Sequence, residues 1–377
     1  MARGFFVRYA EQMSKDKAET IDRLVSNLAE VITEDELRER LNSGKQLTHY
    51  IGFEISGYVH IGQGIMSALV MKDLTDLGVK CTVWLADWHT WINDKLDGTK
   101  ETAATIGQGY FTEAIKACFK AVGGDPDDIE FRLANDWYKR NTSDYMALTT
   151  RVTQNTTEAR LRRSIDIMGK KMGDEVSIAQ LMYPAMQVAD VFLQEIDIVH
   201  AGTDQRKAYV IMRDVFNNMK PHMAREYAAK GKPVILLHHL LPNLFSADGK
   251  MSKSEPYSAV FIHDSAEEIE HKINKAYAPE KDVKNNPVLI WTRHLLFWNR
   301  EGQPFRIERE EKHGGNVEFT SFTDFEKACA TGEVHPMDLK AAVAKELIDL
   351  LAPVREHFAK PEITAKKAEL DKVLQSK

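Results

Sequence analysis

The chain has 377 residues, 43% of them hydrophobic and 28% charged, with a formal net charge of −6. That length implies about two domains with a sizeable core, and the composition is that of an ordinary globular protein. Its three cysteines, Cys81, Cys118 and Cys329, form no C-x-x-C pair, which excludes a disulfide framework and a cysteine-rich zinc site and suits a reducing compartment.

No apolar run approaches the ~18 residues of a membrane span. The opening MARGFFVRYAEQMSKDK lacks the long apolar stretch of a secretory signal, so a cytoplasmic protein with no membrane partner is expected. The mild negative charge leaves nucleic acid open, because an acidic chain can carry a local basic patch.

A helix is predicted over residues 18–44, with Thr33 and Glu36 as a capping box and Ile32 with Leu37 as a staple. This makes 1–42 an N-terminal helical segment. Residues 48–54 read as a strand followed by a turn at Ser56-Gly57. Residues 61–77 carry Ile61, Ile65, Leu69, Leu74 and Leu77 at helical spacing, and 79–86 is a buried strand. A helix over 102–122 stops at Gly123-Gly124. A short strand near 129–133 and long helices over 143–170 and 176–192 follow. Strands at 196–201 and 233–238 flank a helix at 204–219. Strands alternating with helices imply a doubly wound, mostly parallel α/β sheet of the Rossmann-like kind. That domain is placed at 43–258, with a helical insertion at about 100–175. Residues 259–377 form a helical C-terminal domain.

Two segments carry chemistry. The first runs Tyr50-Ile-Gly52-Phe-Glu54-Ile-Ser-Gly57-Tyr-Val-His60-Ile-Gly62-Gln63, from a strand through a glycine turn into a helix. The first N–H groups of a helix are unsatisfied and its dipole is positive there, a geometry suited to phosphate. The second is Asp248-Gly249-Lys250-Met251-Ser252-Lys253-Ser254, a Gly/Ser loop in which two lysines three apart can follow a moving anion. Either could be an ordinary turn or a solvated basic loop.

Together, an H-I-G-x turn after the first strand and K-M-S-K-S after the last are the paired marks of class I aminoacyl-tRNA synthetases. Residues 85–94 (LADWHTWIND), 183–207 (YPAMQVADVFLQEIDIVHAGTDQRK) and 335–347 (HPMDLKAAVAKEL) resemble the archaeal and eukaryotic type of tyrosyl-tRNA synthetase. The likeness covers roughly 30–355.

The residues make chemical sense beside the resemblance. Tyr183, Gln187 and Asp190 share one helix face at i, i+4, i+7. A carboxylate at Asp190, amid Met186, Val188, Val191 and Phe192, is costly unless paired. A ligand's phenol or a neighbouring group of the chain could supply the partner. The resemblance implies that Asp190 and Tyr50 bind a tyrosine phenol, and that Tyr183, Gln187 and Gln205 hold the α-amino end. It implies an ATP site at Gly52, Gly57, His60, Gly62, Gln63, Gly202, Asp204, Lys250 and Lys253, with His60, Lys250 and Lys253 catalytic. Strong rejection of phenylalanine would follow, because it would leave two buried polar groups unpaired.

Residues 151–171 form a basic stretch: Arg151, Arg160, Arg162, Arg163, Lys170 and Lys171 against Glu158 and Asp166. It is either a solvated face or a phosphate-binding one. The resemblance places Arg163 and Arg206 near the tRNA acceptor stem, and His313 and Asp338 at the anticodon. It also implies ATP as substrate, Mg²⁺ on its phosphates, L-tyrosine and tRNA(Tyr) as partners, and a homodimer. No metal held by the protein itself is expected. Gln63 departs from the family's second His, and Trp84 and Gln194 from aliphatic pocket positions. A tryptophan–tRNA ligase, an inactive tRNA-binding paralogue and a small-molecule adenylate-forming ligase are the alternative readings.

Overall fold

The structure, a computed structural model, describes residues 2–171, 173–251, 255–298, 300 and 302–376, and for 2–14, Lys250 and Pro256 the backbone alone. Among the described residues no helix is long and apolar enough to cross a membrane.

Six strands form the central sheet: β1 (Glu30–Ile32), β2 (Thr48–Phe53), β3 (Lys80–Leu85), β4 (Ile129–Leu133), β5 (Ile198–Gly202) and β6 (Val234–His238). Their order is β1-β6-β5-β2-β3-β4. The strands β2 to β6 are parallel, and β1 lies antiparallel on the edge against β6. The chain leaves β2 toward β3 and β4 on one side, while β5 and β6 lie on the other. The order therefore reverses between β2 and β5, where open α/β sheets bind ligands beyond the carboxyl ends of their strands.

Side chains alternate across the sheet. Ile51, Phe53, Val83 and Leu85 join a large apolar cluster that includes Ile65, Met66, Phe111, Val260, Ile269, Trp291, Leu347 and Leu370. Tyr50, Trp84 and Val199 join a second cluster with Tyr138, Val188, Tyr209 and Phe216. Residues after 258, among them Val260, Ile269, Trp291, Leu347 and Leu370, thus contribute to the first cluster.

The predicted helix over 18–44 is interrupted. Helices span Ala2–Asn27 and Glu34–Asn42, with β1 between them. Val31 and Ile32 are β-branched, and Ala29 N–H donates to Leu237 O at 2.8 Å, so edge pairing outweighs helix continuation. Thr33 is the N-cap, accepting from Glu36 N–H at 3.4 Å. The predicted helix over 143–170 is likewise broken, into Thr142–Gln154, Glu158–Arg162 and a 3₁₀ turn Ile165–Met168. Thr157 restarts it as an N-cap on Arg160 N–H at 3.3 Å. Helix Ile178–Leu193 opens with a reciprocal Ser177/Gln180 capping box and carries Pro184 beyond its first turn. The C-terminal region has the expected helices, including Ala266–Lys275, Phe322–Thr331, Pro336–Phe358 and Pro361–Gln375. Short pairs β7 (Pro242–Asn243) with β8 (Ser246–Lys250), and β9 (Phe305–Ile307) with β10 (Val317–Phe319), were not expected from the sequence.

Candidate active site

The turn after β2 needs Gly57, whose φ of +132° L side chains rarely adopt. It delivers His60 as the N-cap of helix Ile61–Asp76. His60 Nδ1 accepts the Gln63 N–H at 3.2 Å. A nitrogen that accepts cannot carry the proton, so in the neutral ring the proton is on Nε2. His60, Gly62 and Gln63 line a cavity of about 290 Å³, and Gln63 Oε1 and Ser67 Oγ on its wall have no partner among the described residues.

The segment that follows the second motif meets the first through backbone. Ile61 N–H donates to Val260 O at 2.9 Å, Ile262 N–H donates to Val59 O at 3.1 Å, and His60 bridges Phe261. On the other side of the loop, β8 ends at Lys250, opposite Pro242. Between these anchors Met251 packs onto Gly62, where a β-carbon would collide with its methyl group. The two motifs, about 190 residues apart in the chain, are therefore in contact. Lys253 lies outside the described residues.

From β2 the cavity also receives Tyr50, Gly52 and Glu54, from β5 and its following turn Gly202, Asp204 and Gln205, and from helix Ile178–Leu193 Tyr183 and Gln187. Gly57 shapes the turn and is not on the wall. A β-carbon on Gly202 would sit 2.8 Å from both Asp204 Oδ1 and Leu240. Tyr183 O–H donates to Glu54 Oε2 at 3.3 Å, and Asn93 Nδ2 donates to the same oxygen at 2.6 Å. Gln187 Nε2 donates to Gln205 Oε1 at 3.2 Å, and Gln205 Nε2 to Ile167 O at 3.2 Å. Tyr50, Tyr183, Gln187, Asp204 and Gln205 of the expected polar set are thus gathered at the switch point, with Tyr183 bonded to Glu54 and Gln187 to Gln205.

Asp190 differs from expectation. It is fully buried and is not on the cavity wall. Tyr138 O–H donates to its Oδ1 at 2.6 Å and Trp84 Nε1–H to its Oδ2 at 3.1 Å. Tyr145 stacks on Tyr138 with centroids 3.8 Å apart, and His89 Nε2 stands 3.9 Å from Oδ2. Burial pushes the Asp190 carboxyl well above the usual range, opposed by those hydrogen bonds. Trp84 and Gln194 are buried and off the cavity wall. Gln194 donates to Asp190 O at 3.1 Å and accepts from Arg132 at 3.2 Å.

Sequence reasoning missed Glu54, His89 and His238 on the cavity wall. The first two stand inside the quoted motifs. His238 has no such signal: it ends β6 and meets the ring of buried His200 at 2.8 Å. Burial keeps His238 neutral, its pKa lowered to about 4.

The proposed nucleic-acid residues lie apart from the cavity. Arg163 is exposed and has no ion-pair partner among the described residues. Elsewhere the basic stretch is partly neutralised: Arg160 pairs with Asp214, and Arg162 pairs with Glu158 at 2.6 Å. Arg206 is exposed and makes a two-pronged pair with Glu30 at 2.5 and 2.8 Å. His313 is exposed on a 3₁₀ turn closed by Gly314. Asp338 is not an N-cap, as helix Pro336–Phe358 begins earlier and is capped by His335 Nδ1 on Met337 N–H at 3.2 Å. Arg309 ties this end together, bonding Gly315 O at 2.7 Å and Glu333 O at 2.6 Å and lying 3.8 Å from Asp338.

The family model for class I tRNA synthetases (W and Y) matches residues 42–352. The chain is 47% identical over 347 residues to a tyrosine–tRNA ligase of Thermococcus sibiricus, covering 88% of this chain and 92% of that protein. The Thermococcus kodakarensis tyrosine–tRNA ligase is 48% identical over the same shares. Among solved structures, the tyrosyl-tRNA synthetase of Pyrococcus horikoshii complexed with L-tyrosine superposes with a TM-score of 0.87 at 41% identity, over 96% of this chain and 100% of that one. A tryptophanyl-tRNA synthetase from Aeropyrum pernix shares the fold, with a TM-score of 0.63 at 19% identity over 90% of this chain and 84% of that one.

Proposed function

The chain belongs to the class I tRNA synthetases of the tryptophan and tyrosine family, and from that premise we propose how its site performs the work of a tyrosine–tRNA ligase. The carboxylate of tyrosine attacks the α-phosphorus of ATP. The new acyl–phosphate bond forms as the bond to pyrophosphate breaks. The tyrosyl group then passes from the adenylate to the terminal ribose of tRNA(Tyr), releasing AMP. The nucleophile is already ionised, so the first step needs no general base. Catalysis is positioning plus stabilisation of charge on the phosphates.

The observation that carries this reading is the contact between the two signature segments over one cavity at the switch point. His60 Nε2–H and the Gly62 N–H in the first turn of helix Ile61–Asp76 face the phosphates, with Gln63 donating from its side-chain amide. Lys250 and Lys253 supply the mobile positive charge. Asp204 accepts from the ribose hydroxyls, and Gly52, Gly62 and Gly202 let the nucleotide close on the backbone. Tyr183, Gln187 and Gln205 hold the ammonium end of tyrosine, with Glu54 as its nearest carboxylate. Tyr50 and Asp190 stand toward the phenol.

Mg²⁺ enters with the ATP phosphates. Among the described residues no group of three or more His, Cys, Asp or Glu side chains is placed to hold a metal, and a nucleotide-borne ion needs few protein ligands. A cytoplasmic homodimer, with Arg163 and Arg206 on the acceptor stem and His313 and Asp338 at the anticodon, completes the proposal.

Amino-acid-dependent exchange between ATP and pyrophosphate tests it. Exchange is expected with tyrosine and not with tryptophan. The reverse preference would make the chain a tryptophan enzyme, and exchange with neither would leave a tRNA-binding module.

The anticodon assignment has its own test. Asp338→Ala should leave exchange intact and impair charging of tRNA with the natural anticodon by an amount worth ~1–3 kcal/mol, the range of one base-edge contact. Charging of a tRNA whose first anticodon base is already changed should fall little. His335 supplies the cap, so loss of the helix start does not enter. Equal losses on both tRNAs would reassign Asp338 to holding Arg309.

A further inference from the structure

The turn that carries His60 is held partly from the far end of the chain. Residues 54–59 run as irregular chain through the bend at Gly57, and such a segment stands where its bonding partners put it. Ile55 N–H donates to Thr90 Oγ1 at 2.8 Å, and Val59 N–H donates to the Tyr110 hydroxyl at 3.0 Å. Tyr58, just before them in reach of His60, has its ring edge-on to Tyr110, Phe261 and His263, with centroids 6.2, 5.7 and 5.0 Å away. Its O–H donates to Asp371 Oδ1 at 2.5 Å, a charge-assisted bond. Lys367 Nζ lies 3.1 Å from Asp371 Oδ2 and 5.2 Å from the centroid of the Tyr58 ring.

Asp371 and Lys367 stand one turn apart on helix Pro361–Gln375, beyond residue 352, where the match to the family model ends. This helix has its own moorings. Lys366 Nζ donates to Glu113 Oε1 at 2.6 Å, and Ile363 and Leu370 are buried in the first apolar cluster. Tyr58 is therefore tied to a fixed point. Neither Tyr58 nor Asp371 is on the cavity wall.

We propose that Asp371, through the Tyr58 hydroxyl, positions the turn that carries His60, which makes the C-terminal helix part of the apparatus for adenylate formation. The proposal rests on the tyrosine–tRNA ligase reading and deepens it by naming a positioning residue for the first step. His60 is aimed at charge that develops on the phosphates, so a displaced ring costs rate more than it costs substrate binding. Asp371 acts on that ring only through Tyr58.

The test is single-turnover adenylate formation, with the KM values for tyrosine and ATP, in Tyr58→Phe, Asp371→Ala, the double variant and Asp371→Asn. Tyr58→Phe keeps the ring among its aromatic neighbours and removes the O–H alone. Each single loss of the bond should slow adenylate formation about ten- to a hundredfold, the scale of a misplacement near 1 Å, with the tyrosine KM unmoved. The double variant should be no slower than the slower single one, because the same bond is lost only once. Asp371→Asn keeps an acceptor oxygen for the hydroxyl and should recover most of the rate. Should Asp371→Ala fail to fold, Tyr58→Phe and Asp371→Asn decide the matter. Wild-type rates in the folded single variants, or losses that multiply in the double variant, overturn the proposal and leave the ligase reading standing. A rise in both KM values in step with the fall in rate would make Asp371 merely structural and overturns it as well. A wild-type protein without tyrosine-dependent exchange overturns the ligase reading and the proposal with it.

Discussion

His60→Asn is expected to fold with nearly wild-type stability and to form adenylate about 10²–10³-fold more slowly, the usual loss for one donor aimed at developing charge. The histidine has two jobs on two nitrogens. Nδ1 caps helix Ile61–Asp76 by accepting the Gln63 N–H, and that bond leaves the proton on Nε2. Asparagine is among the best N-caps, so it takes over the first job, but its shorter side chain does not carry a donor to the Nε2 position. His60→Ala loses both and should be less stable by about 1 kcal/mol. Thermal unfolding paired with single-turnover adenylate formation separates the two. A wild-type rate in His60→Asn would remove His60 from the catalytic set.

Asp190→Ala should lose stability and tyrosine activation together. Removing the carboxylate leaves the Trp84 N–H and the Tyr138 O–H as buried donors without an acceptor, at about 1–3 kcal/mol each. It also removes the charged partner toward which a phenol would be drawn, worth roughly 1.5–3 kcal/mol, or about one to two decades in kcat/KM for tyrosine. The KM for ATP should hold, because Asp190 is buried off the wall shared with His60, Gly202 and Asp204. A variant that melts with the wild type would contradict the paired geometry, and an equal rise in both KM values would make Asp190 purely structural.

The sequence carried most of the architecture through local signals. Ser265 with Glu268, and Ser177 with Gln180, form reciprocal capping boxes at a spacing of three residues, a local device. The alternating apolar strands predict a parallel sheet, and the two signature segments predict a site at its edge. What stayed illegible depends on partners far along the chain. Residues 30–32 read as helix because the only argument for a strand is β6, some 200 residues later. Asp190 was read as needing a partner, correctly, but three plausible donors sit on β3, helix Ala134–Arg140 and helix Thr142–Gln154. No local pattern says which of them arrive. Asp338 precedes an apolar run as a cap would, whereas Pro336 lets the helix start earlier, at a residue that needs no N–H donor.

The staple between Val59–Ile61 and Val260–Ile262 has a polymer consequence. Together with the pairing of Lys250 opposite Pro242, the packing of Met251 on Gly62 and the Leu244 N–H bond to Ser258 O, it ties both ends of the lysine-bearing segment, leaving the six residues between Met251 and Ser258 as a leash. Under the proposed function, the concentration of ammonium groups over the first turn of helix Ile61–Asp76 is then a property of leash length, not of diffusion. Closure entropy changes slowly with length, so doubling the leash would dilute the lysines only about threefold, ~0.6 kcal/mol. Releasing one tether, by contrast, would let the charge wander away from the phosphates altogether. Under the proposed function, chain connectivity holds the positive charge near the phosphates, and the loop sequence is left to set its chemistry.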